Sequence, residues 1–593
     1  MRVRNLLIWD GEKHLTIEKI ILGMTIMTEV LGTDVLVVGG GMAGAYAAIQ
    51  TAKQSVDVLL ITKGLLGKSG CSVNAACFTR PDKYVPPDNM KNHLKALVAV
   101  GGGACVPLGN QEILKDIIEK GEEIVAELEE MGVYWRRFSD GSVVKCGSGL
   151  DNRGRIVQPR GIISPKYGIT GKNIMDILRR EVIRRGIHFL EEVTLTRLLT
   201  KNGRVVGATV LDYKNGDFFA IRAKAVILAT GSGGYLWRRF SGSNEVTIEG
   251  HVLAFNAGAE LIDLEIMTWH FADVAWPQAW RRLQMYPIPL PVTCDVPRWY
   301  NSKEERFMEK LETATKARQA MAAANQRGGY YASYKHIDPK LLDEYWAQLP
   351  FLKKLGIDVT KDLVECEMSA HSMHGGIRIN KRCETNVVGL YVAGSASGVF
   401  YPTLFECGWG GITSAKYASS FVREIDETEL NWKQVEKEEK RVIGMLHTKP
   451  RDGYSPAQIK TKIRNIMFDK VHYIKSERRL NEALSDLSRV EDDLVPKMRL
   501  ESDTKRFNYE WVEALEVPDM VKAAELVIEF CRFRKETRGA FVREDYPETD
   551  NENWLKNIIG KIENGTMKLY TLPVKFPYVK REEIIKITET AIR

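Results

Sequence analysis

Apolar residues recur with two different periods along this chain, and the changes of period mark its elements. Thr33-Asp-Val-Leu-Val-Val38 is a short β-branched run that stops at Gly39-Gly-Gly41-Met-Ala-Gly44, and Ala45 to Lys53 then has a helical composition. The pattern predicts strand, tight turn and helix. A second apolar run, Val56 to Thr62, follows at the separation that a parallel crossover requires. Ala225 to Ala229 and Gly389 to Ala393 read as further short strands, each running into glycine (Gly231, Gly394), so distant segments can complete one sheet. Gln458 to Lys470 and Glu477 to Leu487 instead carry apolar residues at three- and four-residue spacing, which predicts helices in a charged region that starts near residue 426.

Residues 250–369 break the pattern. They hold tryptophans at 269, 276, 280 and 299, a proline cluster from Pro277 to Pro297 and a helix-like stretch from Arg306 to Asn325, and they read as an inserted domain. There are no internal repeats and no low-complexity tract. Residues 1–32 have no apolar core followed by a small-residue cleavage site; they read as a leader, with Met24 or Met27 as equal candidates for the true start.

Composition narrows the class. The 593 residues, 44% hydrophobic and 27% charged, exclude a disordered chain and a disulfide mini-protein, and they allow several domains. The 84 basic against 77 acidic side chains leave +7, too small an excess at this length to point to an anionic substrate, and no nucleic-acid partner is expected. Nine cysteines are spread without a single C-x-x-C pair, which argues against a disulfide framework, a zinc cage or an iron-sulfur cage, and for a reducing, cytoplasmic setting. No metal site is expected. No stretch approaches the roughly 20 apolar residues of a membrane span.

The first chemical signal is Gly39, Gly41 and Gly44 in G-x-G-x-x-G between a strand and a helix. The first glycine turns the chain, the second lets backbone approach a pyrophosphate, and the third seats helix on sheet. After the second strand the acid that usually holds a ribose is replaced by Lys63, which counts against a simple NAD dehydrogenase. Gly67-Lys-Ser-Gly-Cys-Ser-Val-Asn74 then supplies small side chains beside which a flat ring can lie.

These segments, together with Ala229-Thr-Gly-Ser-Gly-Gly234, Ala370-His371-Ser-Met-His-Gly-Gly-Ile377, Gly389-Leu-Tyr-Val-Ala-Gly394 and Glu536-Thr-Arg-Gly-Ala-Phe-Val-Arg-Glu-Asp-Tyr-Pro547, carry a family resemblance. The chain resembles the flavoprotein subunits of succinate dehydrogenases and fumarate reductases, a superfamily that includes aspartate oxidase and the adenylylsulfate reductase alpha subunit. The resemblance runs in order from residue 33 to about 560. It implies an α/β Rossmann-like FAD domain in two pieces (33–245 and 370–425), an α+β capping domain (246–369), a helical domain (426–535) and a C-terminal domain (536–593). It also implies an oxidoreductase that exchanges hydride at flavin N5 with a small anionic substrate and relays electrons through a separate iron-sulfur subunit, with membrane contact only through partner subunits.

The cofactor-binding residues expected are Gly39, Gly41, Gly44, Lys63, Ser69, Gly70, Asn74, Thr230, Gly231, Gly394 and Ser395. Where the dehydrogenases have R-S-H-T, with its flavin-linking histidine, this chain has Lys68-Ser69-Gly70-Cys71, so noncovalent FAD is expected. Ser395 stands where an acid often follows Ala-Gly. By the resemblance His371 and His270 bind the substrate and Arg318 moves the proton. Read from spacing alone, His270 is a packed histidine beside Trp269, Arg318 a solvated helix arginine and Asn74 a turn cap. Two parts of the family's dicarboxylate site are missing: the threonine-glutamate segment before E-R-F-M, and the arginine of H-G-A-N-R-L-G-G-N-S, which has no counterpart in Val399 to Gly411. Plain fumarate or succinate is therefore not the expected substrate. The rival readings are an adenylylsulfate-reductase-like alpha subunit, an aspartate-oxidase-like enzyme without an iron-sulfur partner, and a flavin electron carrier without organic substrate.

Overall fold

The computed structural model describes residues 26–592 apart from 76–77, 80–89, 138, 142, 144, 147–160, 164–168, 277–284, 286–287, 290–293, 296, 310–315, 327, 348, 427 and 448–451, together with two strands over 6–8 and 15–22. Most of the Pro277–Pro297 cluster and Trp280 thus lie outside the described residues.

The β-branched run at the start is the middle of a parallel sheet. Strand β1 (Ile26–Val38) leads through the glycine turn into α1 (Met42–Lys53), and β2 (Val58–Thr62) returns parallel to it, pairing Val35 with Val58 through Val38 with Ile61. Next come β3 (His188–Glu191), parallel to β2, and the antiparallel run β4 (Val193–Lys201), β5 (Arg204–Asp212) and β6 (Asp217–Leu228). β6 closes onto the other side of β1, in parallel. This pairing begins at Glu29 with Phe219, and Val30 and Leu31 are buried, so residues 26–32 belong to the sheet. The leader expected through residue 32 is corrected here: those residues gain a strand partner almost two hundred positions away, which no local pattern can show.

Helix α2 (Glu249–Asn256) follows. A second, antiparallel sheet is then built from β7 (Met267–Val274), β8 (Arg298–Asn301), β9 (Tyr330–Ser333) and β10 (Val364–Met373), in the order β7-β10-β9-β8. Helix α3 (Lys316–Ala324) packs against β7. Among the described residues of 306–325, the helix-like reading holds for 316–324. Arg306 instead bridges Tyr300, in a turn where the Asn301 side chain accepts from the Lys303 and Glu305 amides.

The chain then returns to the first sheet. β11 (Leu390–Val392) adds parallel to the end of β6, pairing Val226 with Leu390 and Leu228 with Val392. Helix α4 (Leu404–Arg423) lies against α1 so closely that a Cβ on Gly411 would sit 3.0 Å from the Ala43 carbonyl oxygen. Helices α5 (Pro456–Lys470), α6 (Glu477–Arg489) and α7 (Tyr509–Phe533) follow, α5 opening on a capping box between Ser455 and Gln458. A hairpin (Lys556–Glu563 and Thr566–Pro573) and a last helix (Arg581–Ile592) complete the described chain.

Candidate active site

Five parallel strands, β3, β2, β1, β6 and β11, lie side by side, and glycines expected to hold a cofactor follow the ends of β1, β6 and β11. Gly39 has φ +117°, donates to the Ile61 carbonyl at 2.8 Å, and would place a Cβ 2.3 Å from the Ala229 carbonyl oxygen. No residue with a side chain fits there. A Cβ on Gly44 would fall 1.8 Å from the Gly39 carbonyl oxygen, so helix and turn touch as the fingerprint requires. Helix α1 begins at Gly41 with no side-chain cap and no acid in its first turn, which leaves amide donors for an anion. One of them, Met42 N, donates to Ser72 Oγ at 3.1 Å. Gly231 (φ +78°) and Gly394 (φ +71°) turn at the ends of β6 and β11, and the Thr230 hydroxyl, which lies against Gly250 of α2, is buried with no hydrogen-bond partner. A cradle of glycine turns, open helix amides and an orphaned hydroxyl at the carboxyl ends of parallel strands fits a dinucleotide.

Other expected cofactor residues are engaged locally. Ser69 Oγ donates to the Leu65 carbonyl at 3.0 Å, Gly70 N donates to Glu245 Oε2 at 2.8 Å, and Asn74 is exposed at the end of a single 3-10 turn. A Cβ on Gly70 would meet nothing within 4 Å, so that position faces open space. Lys63 Nζ is enclosed by Glu249 at 2.5 Å, Glu516 at 2.8 Å and Thr247 Oγ1 at 3.0 Å. Burial works against its charge, but the two carboxylates outweigh it and hold the lysine cationic above its usual range. Its ammonium is spent on tying the end of β2 to α2 and α7. Sequence reasoning had no signal for this network, because its members lie 186 and 453 positions from Lys63.

Ser395 lies beside the Cys407 thiol in the first turn of α4. Next to it is an acid that sequence reasoning missed. Glu406 is fully buried, touches the Cys407 thiol at 3.8 Å, and has one carboxylate oxygen without a hydrogen-bond partner. Burial pushes this carboxyl up to about 8, against hydrogen bonds from Cys407 and Ser397.

The two histidines expected to bind the substrate meet. β7 and β10 pair Thr268 with Ser372 but Trp269 with Ala370, so His371 bulges out of the ladder. Bulges re-aim side chains in this way. The ring of His371 comes 5.2 Å, centre to centre, from that of His270, and its Nδ1 lies 2.7 Å from Ser241 Oγ. His270 is buried, and its Nδ1 accepts from Ala272 N at 3.3 Å, which puts its proton on Nε2. His374 pairs with Thr268 Oγ1. Arg318 is half-buried on α3, the helix packed against the strand of His270, and no ion pair between described residues involves it. The preceding residue is held from the helical region: Tyr473 Oη donates to the Ala317 carbonyl at 2.9 Å.

Fold and cradle together define an FAD-dependent oxidoreductase. Residues 34–409 match the FAD binding domain family and residues 460–589 match the fumarate reductase flavoprotein C-terminal family. An uncharacterised FAD-dependent oxidoreductase of Methanocaldococcus jannaschii is 30% identical over 552 residues, 89% of this chain and 96% of that protein. A CoM/CoB fumarate reductase subunit of Methanothermobacter marburgensis is 30% identical over 567 residues, 90% of this chain and 97% of its own length. Among solved structures, a mutant of the quinol fumarate reductase FrdA of E. coli superposes with TM-score 0.83 at 21% identity, covering 93% of this chain and 99% of that one. The adenylylsulfate reductase of Archaeoglobus fulgidus gives 0.76 at 20%, covering 93% and 97%. This chain belongs to the fumarate reductase and succinate dehydrogenase flavoprotein family.

Proposed function

We propose that this protein holds FAD noncovalently and exchanges a hydride and a proton with an activated carbon of a small anionic substrate, in partnership with a separate iron-sulfur subunit. The observation that carries this reading is the convergence of His270 and His371, 101 positions apart, into one ring pair 5.2 Å across. Bound in the cradle, FAD supplies two-electron hydride exchange at its N5. The residues of the chain do the rest. His270, its Nδ1 occupied by the Ala272 amide, presents an Nε2 proton to a substrate oxygen. His371, oriented by its contact with Ser241, is the second side chain that receives the substrate. Arg318 is assigned the proton, a role that demands desolvation by the bound substrate because a free guanidinium titrates above about 12.

The relative named as a CoM/CoB fumarate reductase subunit favours a fumarate-like substrate. The missing arginine clamp argues against fumarate itself, since each lost charge-assisted hydrogen bond forfeits roughly 1.5–3 kcal/mol. The iron-sulfur subunit is inferred from the cysteine pattern, which leaves this chain without a cluster motif of its own, and from the multi-subunit relatives. No helix among the described residues is long and apolar enough to cross a membrane, and we assign any membrane contact to partner subunits of a cytoplasmic assembly.

Acid precipitation tests the cofactor linkage. FAD is expected in the supernatant, because position 70 is a glycine facing open space; flavin fluorescence that stays with the precipitated chain overturns the noncovalent reading. Titration of the flavin absorbance with fumarate and succinate tests the substrate reading, and tight fumarate binding with rapid turnover would show the family's dicarboxylate site intact.

A further inference from the structure

Arg238 and Arg239 are adjacent in the sequence, and the fold sends them to different partners. Arg238 lies over Phe468, 4.3 Å from its ring centre, and pairs with Asp469 at 3.2 Å, which fastens this loop to α5. Arg239 points elsewhere. Its side chain is only 11% exposed, its Nη2 meets Glu367 at 2.5 Å, and its Nη1 is buried with no hydrogen-bond partner.

The backbone explains the split. Residues 239–241 run beside β10 on the edge that β9 leaves free: Ala370 N donates to the Arg239 carbonyl and Ser241 N to the Ala370 carbonyl, both at 3.0 Å. Phe240 pairs with Ala370, so by alternation Arg239 and Ser241 share the opposite face. Ser241 reaches His371 on that face, and Arg239 reaches Glu367. Ser369, two residues from each, lies on the same face, in register with His270 across the ladder. It is fully buried and its hydroxyl has no partner. Three adjacent strands thus set His270, Ser369 and Arg239 side by side at the ordinary strand spacing of about 4.8 Å.

Buried groups with unmade hydrogen bonds are costly, and two beside a histidine pair point to a ligand. A guanidinium only donates, and a serine hydroxyl can, so what they would receive is an acceptor with negative charge. We propose that Arg239 and Ser369 form the anion-binding end of the substrate site and stand in for the absent arginine of the family stretch. This rests on His270 and His371 marking that site. Glu367 occupies Nη2 and leaves Nη1 free, so the pocket takes a single oxyanion head, such as one carboxylate, one strand spacing from the histidines. The substrate is then a monocarboxylate, or a molecule whose second acidic group is masked.

The test uses the FAD-loaded full chain, titrated with fumarate, monomethyl fumarate and sulfate, and read both by flavin absorbance and by calorimetry. Monomethyl fumarate is expected to bind saturably and to shift the flavin spectrum. Arg239→Met is expected to weaken it about tenfold or more, Arg239→Lys less, because a lysine remains a point charge, and Ser369→Ala several-fold. Arg238→Met should leave binding unchanged. Arg239→Met removes the partner of the half-exposed Glu367, so the double variant Arg239→Met/Glu367→Gln is measured as well and should bind as weakly. Unchanged affinity in the Arg239 variants, or no saturable binding of any of the three anions, overturns the inference. Arg239-dependent heat without a change in the flavin spectrum would instead overturn the reading of the histidine pair as the flavin-facing site, while keeping the anion site.

Discussion

Glu406 and Gly44 show how single residues impose conditions on the cofactor region. Glu406 has a folded pKa near 8, above its unfolded value, so folding favours the protonated carboxyl. Its stabilisation is complete below the unfolded carboxyl range and is lost as pH rises towards 8. Glu406→Gln is a neutral isostere that escapes this loss. The variant should therefore gain stability relative to the parent between pH 5 and pH 9, by an amount on the order of a few kcal/mol; parallel urea midpoints across that range would refute the buried-acid assignment. At Gly44 the argument is steric. Gly44→Ala drives a Cβ to 1.8 Å from backbone that cannot give way, and it should cost several kcal/mol and release the flavin. The flavin-to-protein absorbance ratio and the melting temperature check it, and a variant with full flavin content would contradict the close approach of helix and turn.

Among elements, the segment that leaves α5 is the one that grips the capping region. Val471 accepts from Trp237 Nε1 at 2.9 Å, the ring of His472 sits 4.2 Å from that of Trp269, and Tyr473 holds the Ala317 carbonyl. Three consecutive residues thus touch the loop before Arg239, the neighbour of His270 and the neighbour of Arg318. Burial drives the His472 imidazole down to about 3, so the ring is neutral at ordinary pH and packs as an aromatic. Tyr473→Phe removes one hydrogen bond worth about 0.5–1.5 kcal/mol. The expected result is faster amide hydrogen exchange in α3 with little change in the global melting temperature. Unchanged exchange in 316–324 would mean that the helix is held by its packing on β7 alone. This grip was not legible beforehand: the periodicity that predicts α5 and α6 says nothing of which neighbour their connection will touch.

At the scale of the molecule, Lys63 joins three regions through Glu249 and Glu516, and Lys460 extends the network with Nζ 2.6 Å from Glu516. Lys63→Met leaves the buried Glu249 without its cation and Glu516 with Lys460 alone, and should destabilise the chain by roughly 3–5 kcal/mol. The loss should shrink at low pH, because the stranded acids can then be protonated. A penalty that is the same at pH 5 and pH 8 would argue against the ion network as its cause. The glycine fingerprint, the strands ending in glycine and the two amphipathic helices were all legible in the sequence, because each depends on neighbours within a few residues. The place of residues 26–32 in the first sheet and the non-helical turn at Arg306 were not, since pairing across the sheet decides the one and the Asn301 side chain shapes the other.

By itself the sequence determined the nucleotide-binding turn, the lack of a flavin-linking histidine at position 70 and the presence of His270, Arg318 and His371. Those are matters of residue type and short spacing. Only the tertiary structure decided that a bulge in β10 turns His371 towards His270, that Lys63 is consumed by acids from two other segments, that Glu406 is a buried acid beside Ser397, and that Arg239 faces inward while Arg238 faces out. The reason is physical: charge state and hydrogen-bond partnership depend on burial and on contacts between residues tens to hundreds of positions apart, and strand pairing supplies both only once the chain has closed.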